Sequence, residues 1–264
     1  MTLRLTVLGC GSSGGVPRIG TMWGKCDSTN PKNRRRRCAI LVEQRGPRGV
    51  TSVLVDTPPD LREQLLSVRA EALDGVLYTH DHADHTHGID DLRMVAYTMK
   101  SRINCYFDAA TRASLVSRFA YCFETPAGSS YPPILVANEL VPGAPVRIEG
   151  AGGVLEVMPI LQEHGDIPSL GFRFGNMGYS PDISGLPPQS EQLLQGLDLW
   201  IIDALRYTPH PSHLSLKQAL AMIARLGAKR AVLTHMTGDL DYDTLRRELP
   251  SNVEPAYDGM TIEA

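Results

Sequence analysis

The segment Thr79-His80-Asp81-His82-Ala83-Asp84-His85 constrains this chain more than any other. Three histidines and two aspartates fall within six residues, in a chain that has eight histidines in all. The run before it, Gly75-Val76-Leu77-Tyr78-Thr79, is short, apolar and partly β-branched, and predicts a buried strand. A polar cluster at a strand end is held by a rigid sheet, a common setting for functional side chains. Neutral imidazole and carboxylate are ligands of borderline metals such as zinc. His80 and His82 can reach one ion from an extended or turn backbone, and the adjacent Asp84 and His85 can turn toward a second. Two ions about 3.5–4 Å apart would form a hydrolytic clamp. A solvated polar turn is the competing reading, and the density of histidine argues against it.

The rest of the composition bounds the classes. A chain of 264 residues suits one large domain or two small ones and can bury a sizeable core. At 42% apolar it is globular. A net charge of −3 gives no global argument for nucleic-acid or membrane binding. No run approaches the ~18 apolar residues of a membrane span. Met1 to Leu8 alternates as a strand does and lacks the features of a signal peptide. Five scattered cysteines, an odd number, suit reduced thiols in a cytoplasm.

Along the chain, Leu3 to Leu8 predicts a strand. Gly9 to Gly14 then matches G-x-G-x-x-G, but Pro17 and Gly20 oppose the helix that a dinucleotide site needs, so a loop close to the metal cluster is expected. Its N–H groups, or Ser12 and Ser13, are candidates to touch a phosphate, and a plain glycine turn is the equal alternative. Arg34 to Arg37 reads as a solvated loop face, with at most one arginine facing substrate, rather than a phosphate patch. Cys38–Val42 and Ser52–Asp56 predict strands, and Asp60 is expected to cap a helix to Val68. Ile89, Leu92, Val95, Ala96 and Met99 have helical spacing. His87 is a spare histidine, read as exposed or hydrogen-bonded. Ile103–Phe107 predicts a strand, Ala110–Cys122 a helix, and the proline-rich stretch 124–145 an irregular excursion.

Val154–Ile160 predicts a strand that leads to His164. Leu170–Phe174 and Asn176–Ser180 predict a hairpin turning at Gly175 and leading to Asp182. Leu197–Asp203 predicts a strand ending in an acid. Ser215 and Gln218 form an S-x-x-Q capping box ahead of a helix stopped by Gly227, so His213 precedes a firmly capped helix. Arg230–Thr234 predicts a strand directly before His235, and 243–249 a last short helix. His80, His164 and His235 thus each follow a short apolar strand, as ligands converging on one sheet edge would.

The H-x-H-x-D-H run from His80 to His85 resembles the metal signature of the metallo-β-lactamase superfamily. Gly9 to Pro17, Asp84 to Arg93, His213 and the Tyr257-Asp258-Gly259-Met260 ending resemble its cyclic-phosphodiesterase branch. That branch is the phosphoribosyl 1,2-cyclic phosphate phosphodiesterase type, related to tRNase Z. The resemblance implies an α/β fold, the αββα sandwich of two mixed β-sheets with outer helices, as a single hydrolase domain over 1–264. It implies two divalent metal ions, zinc or manganese. His80, His82 and His164 would bind one and Asp84, His85 and His235 the other, with Asp182 bridging. Asp56 would support the metal loop from behind. A metal-bridging hydroxide would attack phosphorus, with His213 and Asp84 as catalytic residues and His213 as general acid, oriented by Asp203.

The implied partner is a small, cyclic phosphodiester or nucleotide, without a membrane. The missing glycine-rich arm argues against tRNA. Cys26 without close cysteine neighbours, and Gly238 where some members carry a histidine, imply no further structural zinc. Stretch 124–145 leaves a pocket wall or a homodimer contact open. The competing functions are a ribonuclease, a hydrolase of a carbon ester, lactone or thioester, and a nucleotide-binding regulatory module.

Overall fold

The computed structural model describes residues 2–263. Two seven-stranded sheets form its centre. The first contains β1 (Thr2–Gly9), β2 (Ala39–Gly46), β3 (Gly49–Val55), β4 (Gly75–Leu77), β5 (Ile103–Phe107) and β6 (Leu135–Glu139), with β14 (Thr261–Glu263) at the far edge. The second runs in chain order from β7 (Val146–Gly150) through β8 (Gly153–His164), β9 (Ile167–Phe174), β10 (Met177–Ser180), β11 (Leu199–Asp203) and β12 (Arg230–Thr234) to β13 (Val253–Pro255). Both are mixed: β3, β4, β5 and β6 pair in parallel, as do β10 to β13, while the remaining neighbours are antiparallel.

Strand alternation builds the layers. Leu5, Val7, Val42, Val53 and Val55 point from the first sheet into a core shared with Val157, Phe172, Tyr179, Ile201 and Leu233 of the second. The intervening residues Leu8, Leu41, Leu54 and Val76 point the other way. There they meet α1 (Leu61–Val68), α3 (Leu92–Met99) and α4 (Ala109–Arg118); the one-turn α2 (Ala83–Thr86) lies between α1 and α3, and the short α5 (Ala120–Phe123) follows α4. On the far side of the second sheet lie α6 (Pro188–Leu194) and α7 (Leu216–Leu226), which turn Leu194, Leu216, Ala219, Met222 and Ile223 inward; α8 (Tyr242–Glu248) contributes Leu245. This is the αββα sandwich. Each half-buried sheet face removes apolar surface from water, the main driving force for stacking the layers.

The capping box of α7 is present, with the Ser215 side chain on the Gln218 N–H and Gln218 reaching back to the Ser215 N–H. Gly227 closes the helix in the left-handed conformation at φ 70°.

Four local expectations are corrected. The 124–145 stretch is not irregular throughout, because Leu135–Glu139 pairs in parallel with β5 as the outer strand. Its prolines flank that strand rather than interrupt it, so no ladder donor is lost. The 110–122 helix breaks at Phe119, whose φ of −123° leaves the helical region. Asp60 stands at the start of α1 but makes no side-chain cap. Its carboxylate accepts the Arg37 N–H at 2.9 Å and pairs with the Arg37 guanidinium at 3.2 Å.

The fourth correction concerns the arginine run, which is not a solvated face. Arg35 is 2% exposed. It donates to the carbonyls of Thr237 (3.0 Å) and Leu240 (2.6 Å) and to Asn33 Oδ1 (3.3 Å), and Arg36 pairs with Asp258 at 3.0 Å. Only Arg34 is exposed. A guanidinium offers five donors, enough to be satisfied by carbonyl oxygens where a lysine would not be.

Candidate metal centre

The clustered residues come from strand ends that open on one edge. His80 lies three residues past β4, His164 is the last residue of β8, Asp182 lies two past β10, Asp203 closes β11 and His235 follows β12. β8 and β10 both run antiparallel to β9, so their C-terminal ends share a side with those of β11 and β12. Two of these turns adopt backbone that favours glycine: Asp56, just past β3, has φ 66° and His235 has φ 57°. Surrounding structure must hold each residue there at some cost in local strain.

Side-chain donors then converge in two sets. His80, His82, His164 and Asp182 form one group whose donor atoms lie within 4.8 Å of one another, and Asp84, His85 and His235 form another; Asp182 and His235 also make a third, overlapping group with His213. The two oxygens of Asp182 divide between them. Oδ2 is 3.9 Å from His80 Nε2 and 3.6 Å from His164 Nε2, while Oδ1 is 3.0 Å from His85 Nε2 and 3.4 Å from His235 Nε2. Asp84 Oδ2 lies 3.5 Å from His85 Nε2 and 3.7 Å from His235 Nε2. His82 Nδ1 sits 3.4 Å from His164 Nε2.

His80 Nε2, His85 Nε2, His235 Nε2 and Asp182 Oδ1 are buried with no hydrogen-bond partner. Buried polar atoms are rarely left unsatisfied. Orphaned imidazole nitrogens around shared carboxylates are the donor set that divalent ions of the zinc type take, so these residues fit such ions.

Three outer ring nitrogens, those of His85, His80 and His164, are anchored, whereas His235 Nδ1 has no hydrogen-bond partner among the described residues. Asp56 Oδ1 accepts the Thr79 N–H at 2.9 Å, and its Oδ2 accepts the Thr79 hydroxyl at 2.9 Å and the His85 Nδ1–H at 2.7 Å. Since the Thr79 hydroxyl spends its proton on Asp56, it accepts from His80 Nδ1 at 3.0 Å. One buried carboxylate thereby aims a nitrogen lone pair of each histidine inward. His164 Nδ1 donates to the Ser212 carbonyl at 2.7 Å. Gly165 permits that approach, because a Cβ there would lie 2.8 Å from Ser212 Cβ and its φ is 61°. Outer partners of this kind commonly change metal affinity 10–100-fold. Replacing Asp56 by alanine is expected to weaken metal retention by about that factor and to leave the fold intact, as read by chelator competition and circular dichroism.

Electrostatics divides the cluster. Burial opposes charge on His85, but the carboxylates of Asp182, Asp56 and Asp84 outweigh it and raise its pKa well above the imidazole range. Burial likewise opposes charge on His235, and Asp182 and Asp84 raise it. Burial drives His80 well down and His164 down to about 4. Asp182 resists burial because His235, His85 and His80 surround it, and stays well below the carboxylate range.

His213 stands beside this set. It is 11% exposed at its side chain, stacks on the His235 ring at 4.6 Å and 12°, and its Nε2 lies 3.8 Å from Asp182. Its Nδ1 donates to Asp203 Oδ2 at 2.8 Å, an oxygen that also takes the Leu214 N–H at 3.3 Å. Burial pushes His213 down to about 4 and pushes Asp203 well up.

His87 does not join the cluster; it is exposed, with its ring against Phe119 at 5.7 Å. The glycine loop does come close, with Ser12 N donating to the Met236 carbonyl at 3.3 Å and Met236 N to the Cys10 carbonyl at 2.9 Å. Sequence reasoning missed three contributors. Thr79 carried a signal, a hydroxyl next to the first histidine. Asp81 sits inside the motif facing away, and accepts from Ser114 (2.6 Å) and Arg118 (2.8 Å) of α4. The Ser212 carbonyl had no signal, since every residue carries one.

A sequence profile described as "Beta-lactamase superfamily domain" matches residues 51–236. An octanoyltransferase of Porphyromonas gingivalis is 32% identical over 263 residues, and the chain spans about half (51%) of that curated relative. Among solved structures, a diphosphatase from the PhnP family is 33% identical with a TM-score of 0.88, over 100% of this chain and 98% of that one. Human tRNase Z, short form, shares the fold at 21% identity and a TM-score of 0.67, over 98% of each chain. No helix among the described residues is long and apolar enough to cross a membrane. The chain belongs to the beta-lactamase superfamily.

Proposed function

We propose that this chain, as one domain over 1–264, is a phosphodiesterase that uses two divalent ions, zinc or manganese. Its substrate is a small phosphodiester, cyclic ones such as a phosphoribosyl cyclic phosphate or nucleotide included. Its setting is the cytoplasm, in keeping with five buried free thiols. The observation that carries the reading is His213. It lies outside the two sets assigned to the ions, although its donor atom is within 4.8 Å of those of Asp182 and His235; Asp203 holds its Nδ1 at 2.8 Å, so the ring is oriented as a proton donor facing the Asp182 that the sets share. The PhnP-family diphosphatase at 33% identity supports phosphorus over carbon.

His80, His82 and His164 would hold one ion and Asp84, His85 and His235 the other, with Asp182 available to both. When bound, the ions supply Lewis acidity toward phosphate oxygens and an activated water nucleophile. Asp56 and Asp203 keep the imidazoles in one tautomer and orientation. A phosphate anion next to His213 Nε2 favours the protonated ring and so opposes the effect of burial. Protonated His213 then gives its Nε2 proton to the departing oxygen.

The test is hydrolysis of bis(p-nitrophenyl) phosphate by metal-stripped protein, with zinc or manganese added back. Metal-restored turnover is expected; none with either ion, at two metals per chain, would refute the reading. The octanoyltransferase relative favours one rival, a carbon-acyl substrate. Hydrolysis of an octanoyl thioester without any diester turnover would decide for it.

A further inference from the structure

The loop between Leu205 and Leu214 closes on itself, with Leu205 N donating to the Leu214 carbonyl at 2.9 Å. Polar side chains along it hold it in shape. Arg206 donates to the carbonyls of Thr208 (3.2 Å) and Pro209 (2.9 Å), and the Tyr207 hydroxyl reaches Glu248 at 2.8 Å. His210 lies on this loop between Pro209 and Pro211, half-exposed. Its Nδ1 faces the Ser212 N–H at 3.3 Å and the Ser212 hydroxyl at 3.2 Å. A backbone N–H can only donate, so Nδ1 carries the lone pair and the proton of the neutral ring sits on Nε2. That N–H has no partner among the described residues.

The ring has a definite place. His235, His213 and His210 form a row, with centroids 4.6 Å and then 5.2 Å apart. The row runs from the buried ligand set outward, since His235 is buried and His210 half-exposed. In the proposed reaction the departing oxygen lies at His213 Nε2. On this reading the fragment attached to it extends past His213, on the side away from Asp182 where His210 stands.

We infer that His210 is a specificity residue that donates its Nε2–H to an oxygen acceptor on the leaving fragment, and so favours a polar, sugar-like alcohol. The inference rests on the phosphodiesterase reading. Pro209, Pro211 and the Ser212 contacts fix the ring before substrate arrives, so little side-chain freedom is lost on binding.

The experiment uses the metal-loaded full chain, with bis(p-nitrophenyl) phosphate turnover as reporter and two competitive inhibitors. Inorganic phosphate has no leaving fragment; ribose 5-phosphate presents one. In His210→Ala the inhibition constant for ribose 5-phosphate is expected to rise about 3–10-fold, the effect of one hydrogen bond, and that for inorganic phosphate to stay within about twofold. His210→Gln, which keeps an N–H donor, should restore most of the loss, and His210→Phe, which keeps only the ring, should not. Metal content and melting temperature control for folding. The inference is overturned if phenylalanine rescues as well as glutamine, if alanine changes neither constant or both equally, or if the wild type binds ribose 5-phosphate no better than phosphate. A wild type inactive on the diester overturns the phosphodiesterase reading, and this inference falls with it.

Discussion

Alanine in place of His213 is expected to leave two metal ions per chain and to lower diester turnover about 10²–10⁴-fold, the usual size of general acid–base catalysis. The geometry separates the two readouts. The hydrogen bonds that anchor His80, His85 and His164 run to Thr79, Asp56 and the Ser212 carbonyl and survive in the variant, while His235 loses only the ring stacked on it. What disappears is the one imidazole held by Asp203 and turned toward Asp182. Asp203 is left buried without its ring partner, and burial already pushes its pKa up. It therefore takes a proton rather than remaining an unpaired buried charge, which limits the damage to stability. The deficit should shrink for a diester with an acidic leaving group, which needs no proton. Inductively coupled plasma mass spectrometry and kinetics on p-nitrophenyl and alkyl diesters check both parts. Loss of metal, or full activity, would remove His213 from its role.

The larger effect falls on Asp182→Asn. The substitution keeps size and removes the one charge shared by both ligand sets. It should weaken metal binding by more than the 10–100-fold typical of outer partners and abolish measurable turnover. It should also destabilise the metal-free protein over a defined pH range. Asp182 is depressed in the fold, so its contribution is present above the ordinary carboxylate pKa of about 4 and lost as pH falls through the depressed value. His85 and His235 are raised, so theirs is present below the ordinary imidazole pKa of about 6.5 and lost as pH rises through the raised values. The melting-temperature gap between wild type and variant, without metal, is thus greatest between about pH 4 and 6.5 and narrows above it. A gap that widens toward pH 9 would contradict the assigned pairing.

Much of this was legible before any coordinates. Strands whose faces are both buried read as apolar runs, and β4, β11 and β12 each announced the polar residue that follows. The α7 start was written in two side chains, Ser215 and Gln218, because a capping box is a local device. The errors have a common cause. Arg34 to Arg37 has the local signature of a solvated run, yet Arg35 is buried because the 237–240 turn, two hundred residues away, supplies carbonyls to it. Prolines around 132 and 142 hid β6, since a strand that adds to an edge needs a neighbour and not a pattern of its own.

By itself, then, the sequence determined the kind of chemistry. Imidazole and carboxylate are fixed by residue type, and their places after apolar strands follow from periodicity. Only the tertiary structure decided how that chemistry is divided. It gave one oxygen of Asp182 to each ligand set, made Asp56 govern both His80 and His85, and turned a plain backbone carbonyl at Ser212 into the anchor of His164. The physical reason is range. Propensity, capping and alternation act over a few residues, whereas a hydrogen bond or a shared carboxylate requires two stacked sheets to bring distant strand ends within about 3 Å of each other.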